Sequence, residues 1–592
     1  MRKTMRRAIL SVPFTLAALL AFAAPAPAQP EPDLGTEEQR ERGAVVYAKY
    51  CSQCHGDDGA GEGIAHPYLR PPPRDFTAGK YKIRSTPTGY LPTDEDLRRA
   101  IVEGLPGTGM PGFEALSRQQ VTDVIYYLKT LAPDFEDPQA YAEPIDVPRP
   151  PVFSEDSLDV GFTTYVQIGC ARCHGEAGRG DGTSAVTMRD DWGNFIPPAD
   201  LTMPWNFRGG GSREDIFRSI STGLSGTPMA GFADGLTVEE RWQIVDWIVA
   251  QAREVGGTED PGRAPYGALV RAVPAAQGLD ALAEGADLAA ARELFAEAPK
   301  ALLPLVGQIV QPGRSFRPGT VAVGVQAVYD RRDVAFLVTW HNITAETSGT
   351  NGPDLRVPPQ EDRGVLYLAA DLAGGPGADD AEQEGAGAAE DAGGFWGEAA
   401  QPAASAADDL FGAPAAAAVA PGRPAGSDEF SDAVAIQLPI ELRDGVQKPY
   451  FLFGDPSYPV ELWFVDLAEV GAAGEAEMWE GRGSSALAPS EAPPPQVLAG
   501  YQDGEWAVVF RRPRKPARGV AFEEQSFVPI AFSVWDGFYR ERGSKRALTR
   551  WFHVYVEPME RPSVAWPMAK AGLTVLVLEL LIVGLVRRRR RV

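Results

Sequence analysis

Two short runs constrain this chain more than anything else in it: Cys51-Ser52-Gln53-Cys54-His55-Gly56 and Cys170-Ala171-Arg172-Cys173-His174-Gly175. Together they use all four cysteines and two of the five histidines in 592 residues. So few cysteines do not make a disulfide framework. A C-x-x-C-H run is the attachment signature of c-type haem. Two thiols one helical turn apart form thioethers to the vinyl groups, and the adjacent histidine stands over the iron as proximal ligand. A zinc site assembled from both pairs is disfavoured by their 119-residue separation and by a histidine after each pair. A redox dithiol leaves both histidines without a role.

Register supplies the sixth ligand. Met110 lies 55 residues after His55, and Met229 lies 55 residues after His174, with Gly112/Gly231 and Phe113/Phe232 in matching positions. Met110 is the only methionine between residues 29 and 187. Met188 and Met203 compete with Met229 but have no counterpart in the first repeat. A thioether is a soft, adaptable ligand, and His/Met ligation raises the haem potential. Expected helices flank each motif. Glu37–Tyr50, with Val45, Val46 and Tyr50 on an apolar side, enters the first motif, and 158–169 enters the second. After each methionine comes an apolar stripe: Val121, Val124, Ile125 and Leu128, then Ile244, Val245, Trp247 and Ile248. Ser117 and Thr237 are the expected N-caps.

On these motifs, methionines and terminal helices, residues 35–132 and 155–252 each resemble a class I cytochrome c domain. The resemblance implies two small all-α domains, each with six-coordinate, low-spin haem c for electron transfer. His66 faces Ala185 in the second repeat and reads as a surface or loop histidine.

Both ends read as targeting segments. Residues 1–28 carry Arg2, Lys3, Arg6 and Arg7, an apolar run, and Ala26-Pro27-Ala28 as cleavage site: a secretory signal. Residues 564–586 are long and apolar enough to cross a bilayer. The basic tail 587–592 puts the C-terminus in the cytoplasm and the preceding domains on the periplasmic face of the inner membrane. Trp566 falls at the outer interface. Glu579 is either tolerated in a single-pass anchor or paired with another helix. A net charge of −24 excludes a nucleic-acid binder, which shows a basic footprint. The acidity suits steering of a basic soluble partner.

Residues 133–154 read as a linker, and 253–299 as linker and helix. From 300 to 558 the pattern is β. Val321, Val323 and Val325 alternate up to Tyr329; Asp330–Asp333 turns; Val334, Phe336, Val338 and Trp340 alternate again. Further expected strands are 433–438, 460–465, 506–511, 528–535 and 551–556, which together suggest a mainly β sandwich. Residues 371–429 hold twelve acids against Arg423 alone and read as a disordered insertion. Phe395-Trp396 inside it reads as a docking spot or as a stray aromatic pair.

The phrases Val328-Tyr329-Asp330, Leu337–Trp340, Ser431–Ile436, Lys448–Gly454 and Ala531–Gly537, with Lys545 and Trp551, resemble the haem-binding domain of the ethylbenzene dehydrogenase γ-subunit family, related to dimethylsulfide dehydrogenase. That resemblance implies a sandwich with one haem b held by Met and Lys, serving a molybdenum enzyme. Lys545 matches the lysine. Where the methionine is expected, around 451–454, stand Leu452 and Phe453. Met478 and Met559 are poorly placed, and His341 and His553 are the alternative ligands. Without haem b the domain is a docking or carbohydrate-type binding module.

The chain offers no nucleophile triad and no catalytic metal site. Methionine fills the sixth position of each haem c, which argues against peroxidase chemistry at an open iron. The expectation is a membrane-anchored dihaem electron-transfer subunit. It would serve a redox partner, either a molybdopterin oxidoreductase or a respiratory-chain carrier. The alternative is a cytochrome fused to a β module that recognises a ligand or partner.

Overall fold

The computed structural model describes residues 32–256, 260–282, 286–311, 313–357, 429–443, 447–470, 472–483, 486–560 and 565–589. The expected signal, all but the last residue of the acidic insertion, and the end of the basic tail lie outside the described residues.

Each repeat is a helical unit closed by its first and last long helices. In the first, α1 (Glu37–Tyr50) leads into a single turn α2 (Ser52–His55), followed by α3 (Asp94–Glu103) and α4 (Arg118–Lys129). In the second, α5 (Asp156–Gln167), the turn α6 (Ala171–His174), α7 (Arg213–Thr222) and α8 (Val238–Gly256) repeat that order. Ser117 caps α4 in a reciprocal capping box with Gln120. Thr237 and Glu240 make the same exchange ahead of α8. The expected apolar stripes on α4 and α8 are buried. On α1 one expectation fails: Val45 is 70% exposed, and Tyr47 with Val46 faces the core. The apolar side of α1 is one residue out of the expected register.

The helix crossing explains that shift. Gly43 in α1 packs so tightly on α4 that an added Cβ would lie 2.0 Å from Asp123 O. Gly161 in α5 would meet Gln243 O at 2.1 Å. The absent side chain lets the two backbones touch, which turns Tyr47 and Tyr165 inward. Their hydroxyls donate to Gly56 O at 2.7 Å and Gly175 O at 2.6 Å, on the residue that ends each C-x-x-C-H turn.

The C-terminal half is a β sandwich. Strand order along the sheet path is β10 (Leu487–Pro489), β9 (Glu477–Gly481), β7 (Val460–Asp466), β6 (Ala433–Pro439), β13 (Phe527–Trp535), β15 (Phe552–Val556), β1 (Val270–Pro274), β4 (Ala322–Tyr329), β5 (Asp333–His341), β12 (Glu505–Pro513), β11 (Gln496–Gln502) and β8 (Ala473–Glu475). The layers are joined by β13 (Phe527–Trp535), whose first half pairs with β15 (Phe552–Val556) and second half with β6 (Ala433–Pro439). A strand that switches partners in this way makes the corner of a sandwich. Trp463 of β7 (Val460–Asp466) lies 6.1 Å from Phe336 of β5 (Asp333–His341) and 6.4 Å from Phe510 of β12 (Glu505–Pro513), filling the space between layers. The expected hairpin is β4 (Ala322–Tyr329) with β5.

The sheet starts earlier than expected. Within 253–299, β1 (Val270–Pro274) runs parallel between β15 and β4, and α9 (Leu288–Glu293) follows. Residues 133–154 are not a loose tether throughout. Phe135 is fully buried, and the backbones of Ala140 and Ile145 bond to Leu91 and Ser85 of the first unit. A short segment with no periodicity gives no sign that it docks. The last helix, Ala565–Arg589, is long and apolar enough to cross a membrane and presents Leu573 to Val586 exposed.

The glycine crossings are directly testable. Gly43→Ala or Gly161→Ala forces two helices apart, with an expected loss of about 3 kcal/mol, the upper end for overpacking. Thermal unfolding followed by far-ultraviolet circular dichroism reads the loss. An unchanged melting temperature would show that the crossing relaxes freely.

Candidate haem sites

The two Cys-x-x-Cys-His turns are built alike. Each is one helical turn ending on a glycine with positive φ, Gly56 (79°) and Gly175 (76°). His55 Nδ1–H donates to Arg74 O at 2.9 Å, and His174 Nδ1–H donates to Ala199 O at 2.9 Å. A carbonyl can only accept, so Nδ1 carries the proton and Nε2 is left with its lone pair. That is the tautomer a metal-binding imidazole needs. Burial lowers both histidine pKa values, which keeps the rings neutral. Phe76 stacks on His55 at 4.4 Å and fixes its plane. None of the four cysteines forms a disulfide, and burial pushes the thiols of Cys51 and Cys170 up to about 11.

The methionine loops also match. Thr108 Oγ1 accepts from Met110 N at 3.1 Å and donates to Leu105 O at 2.7 Å. Thr227 does the same for Met229 and Leu224, at 3.2 and 2.7 Å. Gly104 and Gly223, which end α3 and α7 with φ of 72° and 65°, press against these loops. An added Cβ would lie 2.5 Å from Gly112 N or Gly231 N. Neither the threonines nor the tyrosine hydroxyls stand out from the sequence by type. The constant offset of 118 or 119 residues between repeats is the signal that finds them.

Around the second turn the structure brings the expected residues together. One cavity of about 440 Å³ is lined by Cys170, Cys173, His174 and Met229. This lies within the range of cofactor pockets. Neutral imidazole, paired thiols, a thioether and apolar walls are the donor set haem c requires. Met188 and Met203 also line the cavity, but Met203 is packed against Trp205, Leu302 and Ala322. The β domain forms part of the wall. His341, at the end of β5, is one of its residues, and its Nε2 is buried without a hydrogen-bond partner.

Lys545 is not among the residues that line this cavity. Its Nζ donates to Tyr539 O at 3.1 Å, and burial followed by the Arg70 charge pulls its pKa to about 7. Met478 is part of the sandwich core, and His553 lies edge-on to Phe527 at 6.4 Å. Near Lys545 is a buried acidic group that the sequence does not announce. Gly537 N donates to Asp432 at 2.8 Å, and Asp536 N donates to Glu541 at 3.1 Å. Burial raises all three carboxyl pKa values, Asp432 to about 7.

The two cytochrome units touch through the residue that holds the first histidine. Arg74, whose carbonyl holds His55, lays its guanidinium 4.3 Å over Trp192 of the second unit. An added Cβ at Gly226, in the Met229 loop, would lie 3.1 Å from Arg74 Nη1. Arg84 Nη2 and Thr88 Oγ1 both donate to Thr222 O, at 2.7 and 2.9 Å.

With this geometry in place, comparison with known proteins gives the class. Residues 40–132 match the family described as Cytochrome c. Residues 156–248 match the family described as Cytochrome C oxidase, cbb3-type, subunit III. Both units are cytochrome c domains, and two such domains imply haem c.

A Haloferax mediterranei protein named "Putative respiratory nitrate reductase heme subunit ORF7" is 25% identical over 169 residues, 28% of this chain. The chain spans 58% of the length of that curated relative. A chain of the reducing HAO-like protein complex of Kuenenia stuttgartiensis is 39% identical, with 38% of this chain and 99% of that one covered and a TM-score of 0.35. A carbohydrate binding module family 9 from Caldicellulosiruptor kristjanssonii is 6% identical, with 50% of this chain and 98% of that one covered and a TM-score of 0.21.

The acidic group carries a pH dependence opposite to the usual one for carboxylates. The folded protein keeps a proton on Asp432 that the unfolded chain releases above its ordinary 3.8. Stability therefore falls as pH rises from about 4 to about 7. Denaturant unfolding across that range is expected to show the fall, and Asp432→Asn to flatten it. An equally steep fall in the variant would rule Asp432 out as the source.

Proposed function

We propose that the protein is a membrane-anchored dihaem c electron-transfer subunit. Haem is attached through Cys51 and Cys54 and through Cys170 and Cys173. Its iron is held between His55 and Met110 in the first domain and between His174 and Met229 in the second. The observation that supports this reading is the duplicated frame: a carbonyl-held imidazole and a threonine-braced methionine loop, twice, at the same 55-residue spacing. Bound haem supplies a one-electron couple. The chain supplies fixed ligands that do not reorganise between oxidation states, apolar walls that exclude water, and a short protein path through Arg74 between the domains. With His55 and Met110, and His174 and Met229, as the residues that would hold iron, the sites would serve transfer rather than substrate turnover.

With haem bound, the chain would relay electrons between its two domains and to or from a partner. The sequence relative named as a respiratory nitrate reductase haem subunit supports a respiratory reductase, a molybdopterin oxidoreductase being the specific candidate. The exported side, the signal at 1–28 and the anchor at 564–586 belong to the same reading, supported by the exposed apolar helix. The β domain is read as a docking module rather than a haem b carrier. Lys545 Nζ is already engaged by Tyr539 O, and Met478, one of the two methionines in or bordering the domain, is in the sandwich core.

Pyridine haemochrome analysis of the purified full chain tests these statements, with two c-type haems and no b-type haem per chain expected. One haem b per chain would restore Lys545 as a ligand. Met110→Ala and Met229→Ala are each expected to abolish one half of the far-red methionine-to-iron charge-transfer band and to lower one of the two potentials. A full-strength band in both variants would refute the methionine ligands.

A further inference from the structure

Three arginines, one from each domain, face the cavity of the second cytochrome domain: Arg70, Arg208 and Arg317. Their surroundings do not neutralise them. Burial, together with the Arg317 and Arg74 charges, pulls Arg208 down to about 10, with Tyr539 and Asp190 acting the other way. Burial lowers Arg317 as well. The Arg70 guanidinium lies 4.8 Å over the Tyr539 ring, and its Nη1 is buried with no hydrogen-bond partner. Lys82, from the first domain, feels the same field: burial and Arg208 pull it to about 5. Asp536 shares the cavity wall and Glu541 feels the Arg70 charge, but burial raises the pKa of both carboxyls, so they supply little counter-charge. Buried cations without counter-charge are costly, and guanidinium groups are matched by the planar fork of a carboxylate.

We propose that Arg70, Arg208 and Arg317 form a carboxylate-binding seam for the propionates of the second haem, so that this haem ties all three domains together. The inference rests on the reading of Cys170–His174 and Met229 as a haem c site. It adds that the β domain and the first domain complete that site. A small free anion shares the same chemistry, and the test separates the two sources.

The experiment is a spectroelectrochemical titration of the full-length protein and of Arg70→Gln, Arg208→Gln, Arg317→Gln and Arg317→Lys. Nearby positive charge favours the reduced haem, so each Gln variant is expected to lower the potential of the second haem. At fixed potential, its oxidised-to-reduced ratio should rise about tenfold, or about 59 mV for a one-electron couple. Arg317→Lys keeps most of the wild-type value, and the first haem is unmoved. A Met110→Ala background assigns the two couples.

A shift in Arg208→Gln alone would overturn the proposal, because the other domains would then have no part in the site. A wild-type potential that falls as inorganic phosphate is added at constant ionic strength would assign the seam to a free anion and also overturn it. Should Arg317→Gln not fold, Arg70→Gln gives the same reading from the other side of the seam. Haemochrome counts on the same wild-type sample keep the two ideas apart. Fewer than two c-type haems defeats the haem reading itself, whereas two haems with unmoved potentials defeats only the seam.

Discussion

The backbone carbonyls of Arg74 and Ala199 are the contacts on which both sites depend. Each accepts from the Nδ1–H of a motif histidine, at 2.9 Å in both cases, and so decides which nitrogen faces the cavity. The covalent motif alone leaves the imidazole free to rotate. The carbonyl, delivered by a loop from outside the motif, fixes tautomer and plane together. The glycine crossings place the motif turn against the core, and Phe76 holds the first ring from the side.

The equal 55-residue spacing conceals an internal rearrangement. The accepting carbonyl lies nineteen residues after His55 but twenty-five after His174. The second repeat uses the added length for a small turn closed by an Arg189–Phe195 bridge. It recovers register before α7, where Ser212 accepts from Asp215 N as Thr93 does from Asp96 N. The extra turn is functional surface. It carries Trp192 to Arg74 and Phe195 to within 5.2 Å of Phe538 of the β domain. The lengthened loop thus makes the contacts that a lone cytochrome domain would not need.

Much of this was legible in the residues. The cysteines, histidines and methionines carry their chemistry in their type. The first and last helices of both repeats and the hairpin at 322–341 follow from periodicity. What stayed hidden has no local signal. Tyr47 and Val45 are both large and apolar enough for the core, and a backbone contact 80 residues away chooses between them. Strand β1 is short and reads like a linker until its two partners are known. The arginines of the second cavity come from three separate domains, so no window of sequence contains them. His341, an alternative haem b ligand by sequence, is a β-domain histidine on the wall of a cytochrome cavity.

Strand β1 also sets an order of assembly. Val270 pairs with Val554, near the end of the β region, while Ala272 pairs with Ala327 close by. The cytochrome domains close on contacts within about a hundred residues, and chains dominated by such local contacts fold fast. The middle of the sandwich must wait until β15 exists. Until then β1 exposes an unpaired edge, a state prone to pairing with the wrong strand. Both Cys-x-x-Cys-His turns lie upstream of this wait, so the cytochrome domains can close while the sandwich that walls the second cavity is still incomplete.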